Sequence, residues 1–130
     1  MTVAMAALRL VAGPATPIIG MNFYDPFLAF ALFGPGGQQI ADASLGVTSG
    51  VNDLVEQVYR TFGARVADVE SGFQTFVTTP VTVPGLGELP LNVARVCQLL
   101  FMCVPPPVGP NDHPNDDGYR VIADAFQAEV

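Results

Sequence analysis

Lysine is absent from this chain, and histidine occurs once in 130 residues. The five basic residues are all arginine, scattered at 9, 60, 65, 95 and 120, against twelve acidic ones, for a net charge of −7. Such a surface repels phosphate backbones and gives them no basic patch to grip, which excludes nucleic acid as an expected partner. No apolar run approaches the roughly 20 residues of a membrane-spanning helix; the Phe27–Phe33 run falls far short. Met1–Leu8 is apolar, but no positive stretch precedes it, and Arg9 interrupts the place where a signal's apolar core would continue. Zinc asks for four close ligands, and one histidine with two cysteines does not supply them, so neither metal nor cofactor is expected. Neither G-x-S-x-G nor S-x-x-K occurs, so the chain carries no recognisable serine nucleophile.

What is present describes one globular α/β domain spanning 1–130. Half the residues are apolar and 13% charged, enough to build a core. Met1–Ala12 reads as a helix stopped by Gly13 and Pro14. Pro17–Met21 is a short apolar run of the kind buried on both faces as a strand, and Pro26 closes the segment after it. Phe27–Phe33 reads as a short helix broken by Gly34–Gly37. A longer helix follows over Ile40–Phe62, where Val51, Leu54, Val55, Val58, Tyr59 and Phe62 form one stripe and Gly63 is placed to cap the end. Arg65–Val69 is a second strand. Strand, helix and strand with short connections predict a right-handed βαβ crossover and a parallel pair. Glu70–Pro110 reads as a long proline-rich loop, with a helix hidden in Leu91–Phe101 and a stiff, extended Pro105–Pro107. Tyr119, Ile122, Ala123 and Phe126 make the apolar face of a closing helix, with Asp116 or Asp117 as N-cap.

Cys97 and Cys103 either close a small disulfide or stay reduced and buried. Their proline-rich, loop-like setting favours the disulfide, and with it a secreted or extracytoplasmic home.

His113 stands in the polar run Asn111–Gly118, just before the closing helix. A solvent-reachable histidine takes and returns a proton near neutral pH, which suits a general base. The surrounding HPN-x-x-GY-x-x-IA-x-AF wording resembles the last block of the SGNH (GDSL-type) hydrolases, a family of serine esterases and lipases. Three further stretches are similar to the same family in the same order. Pro17–Leu28 looks like its fourth strand and following turn, and Ala64–Val69 like its fifth strand. Leu91–Cys97 with Met102–Pro107 looks like its disulfide-bearing loop.

The resemblance implies a three-layer α/β/α, flavodoxin-like fold, of which this chain supplies the last strands and the C-terminal helix. It implies hydrolysis of small-molecule esters or lipids, with His113 as base to a serine lying upstream, in another half of the domain. The acid partner departs from the pattern. The family's commonest aspartate position, three before the histidine, is Pro110 here, and the variant position two before is Asn111. Asp112 is the nearest carboxylate and is taken as the candidate acid, although neighbouring side chains in an extended loop diverge. Gly50–Asp53 spells the family's G-x-N-D oxyanion block, but the helical stripe through Val51 and Leu54 places it on a helix. Ser44, Ser49 and Ser71 read as helix-edge polar residues. An isolated chain of this kind is expected to be inactive and to self-associate through unpaired apolar surface.

The rival reading is a non-catalytic binding or structural module with a cation at the acidic loop 111–117. His113, Asn115, Asp117, Gly118 and Asp124 match positions 1, 3, 5, 6 and 12 of a calcium loop, without its first aspartate or final glutamate.

Overall fold

The computed structural model describes residues 1–130, a mixed α/β arrangement. Helix α1, Thr2–Ala12, ends at Gly13, whose φ of 81° suits a residue without a Cβ. Arg9 in its last turn donates to the carbonyls of Thr16, Phe62 and Gly63, tying α1 to the end of the long helix. Strand β1, Ile19–Met21, pairs in parallel with β2, Arg65–Ala67, in the register Ile19–Arg65, Gly20–Val66 and Met21–Ala67. Both strands are shorter than their apolar runs, because Pro17 lies outside the ladder and Asp68 turns the chain into a short helix. That helix is α3, Val69–Gly72, which Asp68 caps by accepting from the amide of Ser71. Gly20 is required where it stands: a Cβ there would collide with the ring of Tyr59.

Phe27–Phe33 is helical as expected, as part of a 3-10 helix over Pro26–Phe33, with Pro26 in its first turn and Asp25 accepting from the amide of Phe27. It ends at Gly34 as expected, but the following glycines open the next helix six residues before the expected start at Ile40. Gly34 takes φ 76° and redirects the chain, and helix α2 then runs from Gly34 to Thr61, 28 residues. Pro35 fits a first turn, which needs no amide donor from it. Gly37 lets α2 pack directly on the backbone of Phe30, where any Cβ would clash.

The buried side of α2 is rotated from the expected stripe. Val51 and Leu54 are exposed, and the inward face runs through Ala41, Asn52 and Val55. At the C-terminus Gly63, with φ 64°, caps as expected, and the amide of Ala64 reaches the carbonyl of Tyr59.

The segment expected to be a long loop is mostly ordered structure. Strands β3, Pro80–Val83, and β4, Gly87–Pro90, form an antiparallel hairpin, with Pro80 opposite Pro90 at its open end. Pro84 and Gly85 turn it, Gly85 at φ 82° and Leu86 donating to the carbonyl of Val83 at 3.1 Å. Helix α4, Leu91–Leu99, follows and carries Cys97, and a 3-10 turn over Phe101–Cys103 brings Cys103 to it. The two cysteines are disulfide-bonded, with their Cα atoms 5.0 Å apart. Pro106–Val108 is a turn, closed by the amide of Gly109 on the carbonyl of Pro105, and not the extended rod expected of three prolines.

Helix α5, Asp116–Gln127, closes the chain. Its N-cap is Asn115 in place of Asp116 or Asp117, because the Asn115 side chain accepts from the amides of both Asp117 and Gly118. Its packed face passes through Gly118, Val121, Ile122 and Ala125; Tyr119 and Ala123 point outward. The core gathers between the 3-10 helix, α2, α3 and α4 around Leu28, Phe73, Val96, Leu99 and Leu100. No helix is long and apolar enough to cross a membrane.

Candidate functional site

The histidine loop is stitched to the end of α4 by backbone bonds. The amide of Phe101 donates to the carbonyl of His113 at 3.1 Å, and that of Asn111 to the carbonyl of Phe101 at 3.2 Å. Leu100 bridges to Pro114, and the amide of Asn115 reaches Leu99 at 2.9 Å. Behind the loop, Gly118 permits α5 to lie against the backbone of Leu99; a Cβ would strike that carbonyl. In front, the Tyr24 hydroxyl donates to the carbonyl of Asp112 at 3.0 Å. The Tyr24 ring stacks on Phe73 at 4.4 Å. Burial first, then the nearby Asp112 and Tyr119, push the Tyr24 phenol up to about 12, so it remains a donor at any physiological pH.

Within this frame Asn111 Oδ1 accepts from the His113 amide at 2.9 Å and lies 2.5 Å from His113 Nδ1. An atom that accepts from a main-chain N–H is the amide oxygen. Its ring partner must therefore be a donor, so the neutral tautomer that fits is the one protonated on Nδ1, with its lone pair on Nε2. Asp112 did not diverge as the extended-loop argument expected: its Oδ1 lies 3.1 Å from the same Nδ1. Both side chains are about 70% exposed, so this pair is solvent-screened and worth little to stability.

An open groove of about 580 Å³ lies against the imidazole, lined by Phe27, Phe30, Phe33, Met102 and the Pro110–His113 segment. The phenylalanines come from successive turns of the 3-10 helix, with ring centroids 6.1 and 5.9 Å apart. No serine or threonine lines the groove. Ser44 bonds back to the carbonyl of Ala41 within α2, and Ser71 belongs to the capped turn of α3.

A second polar cluster stands at the carboxyl ends of β1 and β2. Asn22 and Asn52, both buried, hold it together. Asn22 Nδ2 donates to Glu56 and Asp68, each at 3.0 Å, and its Oδ1 accepts from the amide of Glu70 at 2.8 Å. Asn52 Nδ2 donates to Glu70 at 2.6 Å and to the carbonyl of Phe23 at 2.8 Å, while its Oδ1 accepts from the amide of Phe23. The Asn52 amide is thus fully engaged by its own fold and has no free donor for an oxyanion, in keeping with its place on α2.

Burial raises the Glu70 carboxyl; the Asn52 bond opposes this, and the like charges of Asp68, Glu56 and Asp53 add to it. Asp68 is also pushed up by burial, but hydrogen bonds from Asn22 and Ser71 outweigh that and hold it below the usual range. Nothing in the residue pattern singled out Asn22 or Tyr24. Asn52 carried a signal, a polar side chain beside an apolar stripe.

The calcium-loop arrangement does not form. Residues from Asp116 onward are helical, which carries Asp124 up α5, and no three His, Cys, Asp or Glu side chains gather as a metal site. Comparison with protein-family models, curated proteins and solved structures finds no match to this chain.

Proposed function

We propose that this chain supplies the general-base half of a serine-dependent carboxylic ester hydrolase of the SGNH type, built on a three-layer α/β/α fold and working outside the cytoplasm. The observation that carries the reading is the double acceptance by Asn111 Oδ1. It orients the imidazole of a histidine that lines a groove walled on its other side by Phe27, Phe30, Phe33 and Met102.

In this reaction Nε2 takes the hydroxyl proton of a serine as its oxygen bonds to the ester carbonyl carbon. The imidazolium returns that proton to the departing alcohol oxygen as the ester C–O bond breaks. Water then repeats the sequence on the acyl-serine and frees the acid. Asp112, within 3.1 Å of Nδ1, stabilises the cation while it lasts. The serine comes from outside these residues, since none lies at the groove. The disulfide and the resemblance of four ordered stretches support an extracytoplasmic hydrolase of this family.

The test joins the chain to the segment encoded upstream and follows p-nitrophenyl acetate. His113→Ala is expected to lower kcat by about three orders of magnitude or more, as losses within a triad do. Asn111→Asp is expected to raise kcat about five- to tenfold, because a charged acceptor holds an imidazolium about 1 kcal/mol better than a neutral one. Near-full activity in the alanine variant would remove His113 from the mechanism.

A further inference from the structure

Turning α2 to bury Ala41, Asn52 and Val55 leaves its outer side bare. Six exposed residues follow one another along that side at alternating steps of four and three: Gly36, Ile40, Ala43, Val47, Gly50 and Leu54. Those steps are the 3.5-residue repeat of a coiled-coil seam. Ile40, Val47 and Leu54 hold one set of positions, exposed at 49%, 66% and 65%. Gly36, Ala43 and Gly50 hold the other, so large and small residues alternate strictly. The seam carries no charge; from Gly34 to Leu54 the helix has only Asp42 and Asp53, and both lie to its side.

The glycines of this face do not serve the chain's own packing. Gly37, in the same helix, is required by the backbone of Phe30, yet Gly36, Gly46 and Gly50 have nothing within 4 Å of where a Cβ would stand. Short of proline, glycine is the costliest residue inside a helix. A second backbone drawn close from outside gives Gly46 and Gly50 a use.

We infer that α2 pairs with α2 of a second copy, antiparallel about a two-fold axis midway between Ala43 and Val47. In that register Leu54 lies over Gly36 of the other copy, Ile40 over Gly50 and Val47 over Ala43, so every layer sets one large side chain against one small. The axis repeats each layer, as an isologous interface requires. Beside the seam Gly46 meets Gly46, and the Asp53 carboxylate faces the Gln39 amide, a donor to it. No like charges meet. Parallel pairing instead stacks Gly36 on Gly36 and Gly50 on Gly50, leaving gaps where close packing is needed. A different protein has no need of a strip that is its own complement, which selects a second copy as the occupant. The strip is about 27 Å long and about 10 Å wide. That is large for a patch left bare on a monomer, but well below the roughly 800 Å² per partner of a standard interface. The dimer is therefore reversible, with a Kd on the order of 100 µM.

Sedimentation equilibrium on the 130-residue chain, from about 5 µM to about 1 mM, tests this and should show a monomer–dimer equilibrium. Raising salt from about 0.05 to about 0.5 M should tighten it a few-fold, because two copies of net charge −7 then repel less. Val47→Asp should weaken it at least about tenfold, and so should Gly50→Ile, which fills the seat of Ile40. Isoleucine is the better helix former, so a dimer lost in Gly50→Ile is not a fold lost. The double variant Ile40→Gly with Gly50→Ile exchanges large and small within one layer, and should restore association to within about threefold of the parent. Phe27→Asp, in the groove beside His113, should leave the equilibrium unchanged.

A monomer throughout the range, a dimer untouched by Val47→Asp or Gly50→Ile, or no rescue in the double variant would overturn the proposal. Association that salt weakens would do the same, since ionic contacts would then hold it. So would a dimer that Phe27→Asp dissolves, because the groove and not α2 would be the contact.

Discussion

Asn52 and Phe23 meet through both polar atoms of a main-chain unit: the Asn52 side-chain amide accepts from the N–H of Phe23 and donates to its carbonyl, each at 2.8 Å. A helix side chain thereby does for the end of β1 what another strand would do. It also accounts for the rotation of α2, since a buried main-chain pair without partners costs more than exposing Val51 and Leu54.

Replacing Asn52 by leucine keeps the branched shape and removes all three bonds. The amide and carbonyl of Phe23 and the Glu70 carboxylate then lose a partner in a site only 3% exposed. The expected loss is about 2–4 kcal/mol, seen as a urea midpoint lower by about 1–2 M. A midpoint within error of the parent chain would mean that these bonds are made equally well by water.

Glu70 gives a pH dependence of definite sign. Its folded-state pKa is raised, so its stabilising contribution is complete below the ordinary glutamate value and is lost as pH rises through the raised one. Asp68, lowered, runs the other way: its contribution is present above the ordinary aspartate value and is lost as pH falls through its own. Glu70→Gln keeps an oxygen acceptor for Asn52 and removes the charge. Its melting temperature should therefore exceed the parent's by a few degrees at pH 7 and converge with it towards about pH 4. A constant offset across that range would show that the charge is not what matters.

The disulfide closes a loop of six residues' separation, a span for which the chain-entropy estimate is about 2 kcal/mol. Replacing both cysteines by serine should lower stability by about that amount and loosen a hollow whose wall includes Cys103. Intact protein from an oxidising compartment should weigh two hydrogens less than the reduced chain and resist alkylation. Two alkylatable thiols in native material would contradict the bond.

The parallel pair, the long helix and α5 were legible because each is marked locally, by an apolar run, a period or a cap; the cysteine bridge was legible from its proline-rich setting, and α4 only as a helix hidden in the expected loop. The hairpin was not, although Val81–Val83 alternates and Pro84–Gly85 is turn chemistry; Pro80 and Pro90 read as breakers when they are the tolerated ends of edge strands. Asp112's approach to Nδ1 depends on the bend that Asn111 imposes. Tyr24 and Asn22 act on residues far along the chain, so no window of sequence could contain them.

The Tyr24 hydroxyl bond to Asp112 spans 88 residues of chain. During folding, the loop holding the histidine can form its own bend early, from Asn111 alone. Its seat against Tyr24 must wait until the first and last thirds of the polypeptide have met, the slowest kind of closure. A nascent or partly unfolded chain therefore carries an imidazole oriented by Asn111 but not yet seated against the rest of the fold. The imidazole takes its fixed place only when the whole topology is complete.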